Sequence, residues 1–345
     1  MTDMLALRDT LPEGFLDCPA TDLHRLFDGP TMIRLPGRRS APLFVSVLLH
    51  GNENSGLQAV QQVLRARFAH GLPRSVMLMI GNVAAAREGL RRMPGQPDFN
   101  RVWPGATENR DTPEAAIMAQ ATRMVIEAGA FAAIDLHNNT GLNPHYGVVC
   151  SLDAHSLHLA TLFSRQLVWF AGLAGTQTLA LAGKVPAMAA ECGKPGIVRN
   201  AEAAARFVDG VLELAAFPEH PVRRQDIELH HSIAVVHARP DVGMSFAGEP
   251  AALQFRADLD HLNFRMLEPG TMLGRSSHAR PLLALGEQGQ DVTDRFLRVR
   301  HGTLELERGV MPAMLTLDET IVRQDCLCYL MEEVPAELLP AGSIA

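Results

Sequence analysis

The chain has 345 residues, 47% of them hydrophobic, and a formal net charge of −7. That is ample for a large core, and it excludes the basic footprint of a nucleic-acid binder. Aromatic residues make up only 5%, with two Trp and two Tyr, which also excludes a stacking platform for single strands.

The opening MTDMLALRDTLPEGFLDCP lacks a basic start followed by a long apolar run, so no signal peptide is expected. No stretch approaches the roughly 20 uninterrupted apolar residues that a membrane helix needs. Cys18, Cys150, Cys192, Cys326 and Cys328 are odd in number and scattered. That usage suits a reducing compartment, and a cytoplasmic location is expected.

The first forty residues read as an irregular lead-in. Pro42 to Leu49 is a continuous apolar run of strand length, as in strands buried on both faces. A helical pattern follows from Leu57 to Phe68, ending at Gly71. Ser75 to Ile80 is a second strand, and Pro113 to Ala128 a helix that closes at Gly129. Phe131 to Leu136 and Tyr146 to Cys150 read as further strands. Leu157 to Phe170 and Ala201 to Ala216 read as amphipathic helices.

Strands alternating with helices predict an α/β unit with a mostly parallel sheet over residues 1–220. Beyond Pro218 and Pro221 the runs are short and cut by Gly and Pro. Residues 221–345 therefore read as a smaller β-rich C-terminal domain. Its apolar segments also permit a homo-oligomer.

The chemistry concentrates at strand ends. His50-Gly51-Asn52-Glu53 directly follows the first apolar strand, and ligand sites of parallel sheets lie at the carboxyl ends of strands. An imidazole and a carboxylate in one turn can converge on a cation, and zinc accepts both ligand types. A third ligand, His137, stands at the end of another apolar strand in Asp135-Leu136-His137. Asp135 is a candidate to orient a ligand from behind.

A catalytic zinc also needs a proton carrier. Glu191, after the small-residue run Met188-Ala189-Ala190, is the candidate; an ordinary salt-bridged Glu is the alternative. Arg91, Arg92, Asn100 and Arg101 fall within one short segment, Arg91 to Arg101. Guanidinium forks match carboxylates, and one of Arg91 and Arg92 is a candidate oxyanion partner. A solvated basic loop is the alternative. Cys326-Leu327-Cys328 reads as buried core rather than a soft-metal site. No GxSxG elbow exists in the chain.

HGNE, the REG–RR–DFNR segment, DLHNNTG and ECG occur in that order. Together they resemble the succinylglutamate desuccinylase/aspartoacylase family, a branch of the zinc carboxypeptidase-like hydrolases. The likeness covers most of residues 41–200 and extends to Leu262–Gly270. It implies a carboxypeptidase-like α/β/α sandwich with a β-domain near the active-site mouth. It implies one zinc per chain on His50, Glu53 and His137, with Glu191 as general base and acid. It implies that Asn100 and Arg101 grip a substrate carboxylate and that Arg91 or Arg92 polarises the scissile carbonyl. The segment from Asn138 to Tyr146 resembles that of less-characterised bacterial relatives. Asn138, His145 and Tyr146 in it are candidates to line the site, with a structural turn as the alternative.

Two departures stand out. Met93 follows the arginine pair where the family usually has an aromatic residue. Pro312 to Val322 lacks the second-domain Tyr of the aspartoacylases. The expected activity is cleavage of the amide bond of a small N-acylated carboxylate. A carboxypeptidase-like peptidase is the runner-up, and a non-catalytic carboxylate-binding relative ranks below it.

Overall fold

The computed structural model describes residues 4–67, 69–246, 248–335 and 338. In chain order the first strands are β1 (Ala6–Arg8), β2 (Thr31–Leu35), β3 (Gly37–Val47), β4 (Leu72–Ile80), β5 (Ala132–His137), β6 (Tyr146–Val149), β7 (Gln166–Trp169), β8 (Ala187–Glu191) and β9 (Glu228–Ala238). They are followed by β10 (Met244–Ser245), β11 (Leu253–Phe255), β12 (Met272–Ser276), β13 (Leu282–Gly286), β14 (Leu297–Arg300), β15 (Thr303–Leu306), β16 (Met311–Ala313) and β17 (Cys328–Glu333). The helices are α1 (Ser55–Arg67), α2 (Val83–Glu88), α3 (Pro113–Glu127), α4 (Ala154–Thr161), α5 (Gln177–Leu181), α6 (Val198–Glu213), α7 (Thr293–Phe296) and α8 (Glu319–Gln324). Phe68, the expected last residue of the first helix, lies outside the described residues.

Among the described residues the large sheet runs β1-β2-β4-β3-β5-β8-β6-β7-β9-β17-β16, with β13 also on β9. Its centre, β4-β3-β5-β8, is parallel. Side chains alternate across it, as the pleat requires. Leu43, Val45 and Val47 of β3 pack with Leu57 and Val60 of α1 and Val208 of α6. Phe44 points the other way, to Met118 and Val125 of α3 and Leu181 of α5. The result is the expected α/β/α sandwich. A separate smaller sheet, β10-β11-β12-β15-β14, comes from residues 244–306.

Three local expectations differ from the structure. The lead-in carries β1, β2 and the start of β3; β1 forms the sheet edge, and β2 pairs parallel with it and antiparallel with β4. Such short runs leave little periodic signal. Leu157 to Phe170 is not one helix: α4 stops at Thr161, and Gln166–Trp169 is β7, parallel to both β6 and β9. Pairing on two sides outweighs the local helical spacing. Ser164 marks the break; its Oγ donates to the His145 carbonyl at 2.8 Å and accepts from the Gln166 amide at 3.0 Å. Finally, Ala187–Glu191 is a central strand, although alanine has little preference for strands.

Register then sets the site. Val47 lies opposite Leu136, and His137 opposite Glu191. Tyr146, opening the antiparallel β6, also sits opposite Glu191. The ends of β3, β5 and β8 and the start of β6 therefore share one edge. After β3 the chain turns through Leu48, whose φ is 57°, a costly conformation for a residue with a Cβ.

Gly51 sits so close to α2 that a Cβ there would lie 2.2 Å from the Ala86 amide nitrogen. Gly51→Ala must therefore shift α2 or the His50 turn. We expect it to cost about 1–3 kcal/mol, seen as a lower denaturant midpoint. An unchanged midpoint would show that α2 and the turn separate freely.

Candidate metal centre

His50 and Glu53 stand in the turn after β3, and His137 ends β5. The His50 Nδ1 lies 2.8 Å from Glu53 Oε1, and the His137 Nδ1 lies 2.8 Å from Glu53 Oε2. One ligand atom from each of the three residues lies within 4.8 Å of the other two, and all three residues are buried. Glu53 is also held by the Asn138 backbone amide, which donates to Oε2 at 3.0 Å.

The outer imidazole nitrogens have carboxylate partners too. His50 Nε2 is 2.9 Å from Asp98 Oδ1, and His137 Nε2 is 2.6 Å from Asp135 Oδ2. Asp135 is itself fixed, its Oδ1 accepting from Ser46 Oγ at 2.6 Å. When Nε2–H is donated outward, each Nδ1 lone pair faces a Glu53 oxygen. That arrangement needs a cation between them. Two imidazoles backed by carboxylates plus one carboxylate ligand match a catalytic zinc site with an open position. Burial disfavours the charged form of His137, yet Asp135 and Glu53 outweigh it and hold the imidazole well above its ordinary range. Burial also works against the Glu53 anion, and His50 and His137 together keep it ionised far below the usual carboxylate range.

Glu191 ends β8 beside His137 and lines the same cavity. Burial pushes its carboxyl up to about 7, against the opposing pull of His137. Asn139 Nδ2 donates to its Oε2 at 3.2 Å. A carboxyl poised near neutrality is suited to taking and returning a proton.

Residues 42–210 match the model of the succinylglutamate desuccinylase/aspartoacylase catalytic domain. The matched stretch is just under half of the chain. The fold is similar to that of a succinylglutamate desuccinylase from Chromobacterium violaceum, at 17% identity and a TM-score of 0.53, over 88% of this chain and 87% of that one. It is also similar to a succinylglutamate desuccinylase/aspartoacylase from Rhodobacter sphaeroides (15% identity, TM-score 0.59, 88% and 89% covered). Murine aminoacylase 3 is a third (17% identity, TM-score 0.51, 86% and 96% covered). At these identities the likeness establishes the fold alone. No curated protein matches the chain.

In this chain the two arginines of the loop part company. Arg91 is buried at the cavity. Its Nε and Nη2 donate to Asp98 Oδ2 at 3.1 and 2.9 Å, and its Nη1 stands 3.7 Å from Glu53 Oε1. Arg92 is half-buried and does not line the cavity. Arg101 and Asn100 do line it. Asn100 accepts the Gln177 amide at 3.1 Å through Oδ1, and its Nδ2 lies 3.1 Å from His137 Nε2.

The 138–146 segment divides in the same way. Tyr146 lines the cavity. Asn138 borders it, but its side chain is spent on the scaffold, donating to Ser55 Oγ at 2.9 Å and the Gly193 carbonyl at 2.7 Å. His145 does not line the cavity; it pairs with Asn200 Oδ1 at 2.9 Å and stacks on Phe163.

Three residues with no role in the sequence reading prove close to the chemistry. Asp98 backs His50 and grips Arg91; its signal was the acid standing inside the arginine loop. Asp325 accepts from Arg91 and Arg101, and Tyr329 lines the cavity. Both come from the far end of the chain, and no local pattern marks them.

Asp98→Asn retains the shape but weakens the acceptor behind His50. Metal affinity should fall by about 10–100-fold, as read by chelator competition. Unchanged affinity would show that Asp98 does not orient this ligand.

Proposed function

We propose that the chain is a zinc-dependent amidohydrolase that cleaves the amide bond of an N-acyl amino acid or similar small carboxylate. The observation that carries this reading is the convergence of two carboxylate-backed imidazoles on Glu53, with the buried Glu191 carboxyl beside them. The match of residues 42–210 to the succinylglutamate desuccinylase/aspartoacylase catalytic-domain model supports it. Zinc is favoured by the nitrogen and oxygen donor set.

A divalent ion on His50, Glu53 and His137 supplies a Lewis acid and makes water a better nucleophile at neutral pH. The chain's own residues do the rest. Glu191 takes a proton from the attacking water and returns it to the leaving nitrogen. Arg91 Nη1, the end of the fork left free by Asp98, stabilises the negative charge that grows on the carbonyl oxygen. Arg101 spends one N–H on Asp325 and one on the Asn100 carbonyl at 2.9 Å. Three of its five N–H groups remain for a substrate carboxylate.

Met314, Asp325 and Tyr329 narrow the cavity from the other side, which favours a small substrate over a peptide. All five cysteines are free thiols, consistent with a cytoplasmic enzyme. Among the described residues no helix is long and apolar enough to cross a membrane.

Two substitutions separate the roles. Glu191→Ala should lower turnover by about 10²–10⁴-fold while zinc content by metal analysis stays at the wild-type level. His50→Ala should lose the metal. A screen of N-acetyl and N-succinyl amino acids, with short peptides alongside, reads released amine. Full activity in either variant would refute the scheme, and turnover of peptides alone would favour the peptidase.

A further inference from the structure

The two guanidinium groups at the cavity already hold a carboxylate that belongs to the protein. Asp325 Oδ2 accepts from Arg91 Nη2 at 3.0 Å, and its Oδ1 accepts from Arg101 Nη2 at 3.1 Å. Among the described residues lining the cavity, Arg91 and Arg101 are the cations, set against Glu53, Glu191 and Asp325. Arg91 is further committed to Asp98.

Asp325 is not a passing visitor. It ends α8, with its amide bonded to the Ile321 carbonyl at 2.9 Å. Its own carbonyl accepts from His237 Nδ1 at 3.0 Å. Two residues later the Leu327 amide bonds to the Val236 carbonyl at 2.7 Å, seating the segment against β9. The carboxylate is thus pinned at both sides and stays paired with Arg101, whose remaining N–H groups suffice for one substrate carboxylate. The lining that the catalytic-domain residues add away from the metal ligands is largely uncharged: Tyr146, Val148, Phe170 and Leu173.

We infer that Asp325 is a specificity-determining residue that restricts the site to N-acyl substrates carrying a single carboxylate. A second carboxylate finds no free cation, meets the like charge of Asp325, and loses its hydration with nothing in return. The distal group of the substrate is therefore uncharged and rests on the apolar wall. This builds on the amidohydrolase reading and narrows its substrate class.

The test uses an isosteric probe pair, N-acetyl-L-glutamine and N-acetyl-L-glutamate, titrated by calorimetry into the zinc-loaded full chain. The wild type should bind the glutamine probe more tightly by about tenfold or more. Asp325→Asn should abolish or reverse that preference by gaining affinity for the glutamate probe. Asp325→Ser serves the same purpose should the Asn variant fail to fold, and the wild-type ratio is read with no variant at all. Equal binding by the wild type, an unchanged ratio in the variants, or binding of neither probe by any of the proteins overturns the inference. Amine release, followed separately, distinguishes the two readings. Turnover with an unchanged ratio keeps the amidohydrolase and removes the role of Asp325. A changed ratio without turnover does the reverse.

Discussion

The Glu53 carboxylate ties two strand ends together. One oxygen faces the imidazole after β3 and the other faces the imidazole that ends β5. Behind these rings stand Asp98 and Asp135, so three buried carboxylates surround two buried imidazoles at the base of the cavity. Buried anions of this density are costly unless paired. Arg91 compensates the His50 side by gripping Asp98. On the His137 side Asp135 receives only the Ser46 hydroxyl besides the ring. The remaining deficit of positive charge lies between the two Nδ1 atoms, where His50, Glu53 and His137 could hold a metal ion.

That demand constrains the sheet. Side chains two residues apart on a strand share a face, so Asp135 can support His137 only because both lie on β5 in the spacing D-x-H. A slip of one residue between β5 and β8 would move Glu191 away from His137 and turn the supporting side chains to the wrong layer. Ser46 of β3 meets Asp135 across the same ladder, and Gln177 at the start of α5 holds Asn100. The metal site is therefore stabilised by the same register that builds the core. The strained Leu48 and the close approach of Gly51 to α2 are the local cost of aiming His50 at it.

What the sequence made legible follows from this geometry. His50, His137 and Glu191 each stand where an apolar run ends, and a parallel sheet carries all such ends to one edge. The choice between Arg91 and Arg92 was not legible, because neighbours in a loop differ only in which way they point, and burial against Asp98 decides it. Nor was His145, whose partner Asn200 belongs to α6. Asp325 is 224 residues from Arg101, and no periodicity reaches across that distance. The helix expected over Leu157–Phe170 failed for a related reason: β6 and β9 recruit its second half, and neither partner is local.

The residues near the site also divide by origin. His50, Glu53, Arg91, His137 and Glu191 all come from residues 50–191, at the ends of the parallel central strands or in the loops that follow them. Met314, Asp325 and Tyr329 come from the end of the chain and close the cavity from the opposite wall. Chemistry built on strand ends tolerates little displacement, since proton transfer and charge stabilisation require contacts near 3 Å. The opposing wall only has to complement the substrate in shape and charge. It is carried by the short strands β16 and β17 and the six-residue helix α8, which can change a side chain such as Asp325 without disturbing the register of β3, β5 and β8. Such an arrangement separates the strand-end cluster from the wall opposite it, with the charge beside Arg101 set by the far end of the chain.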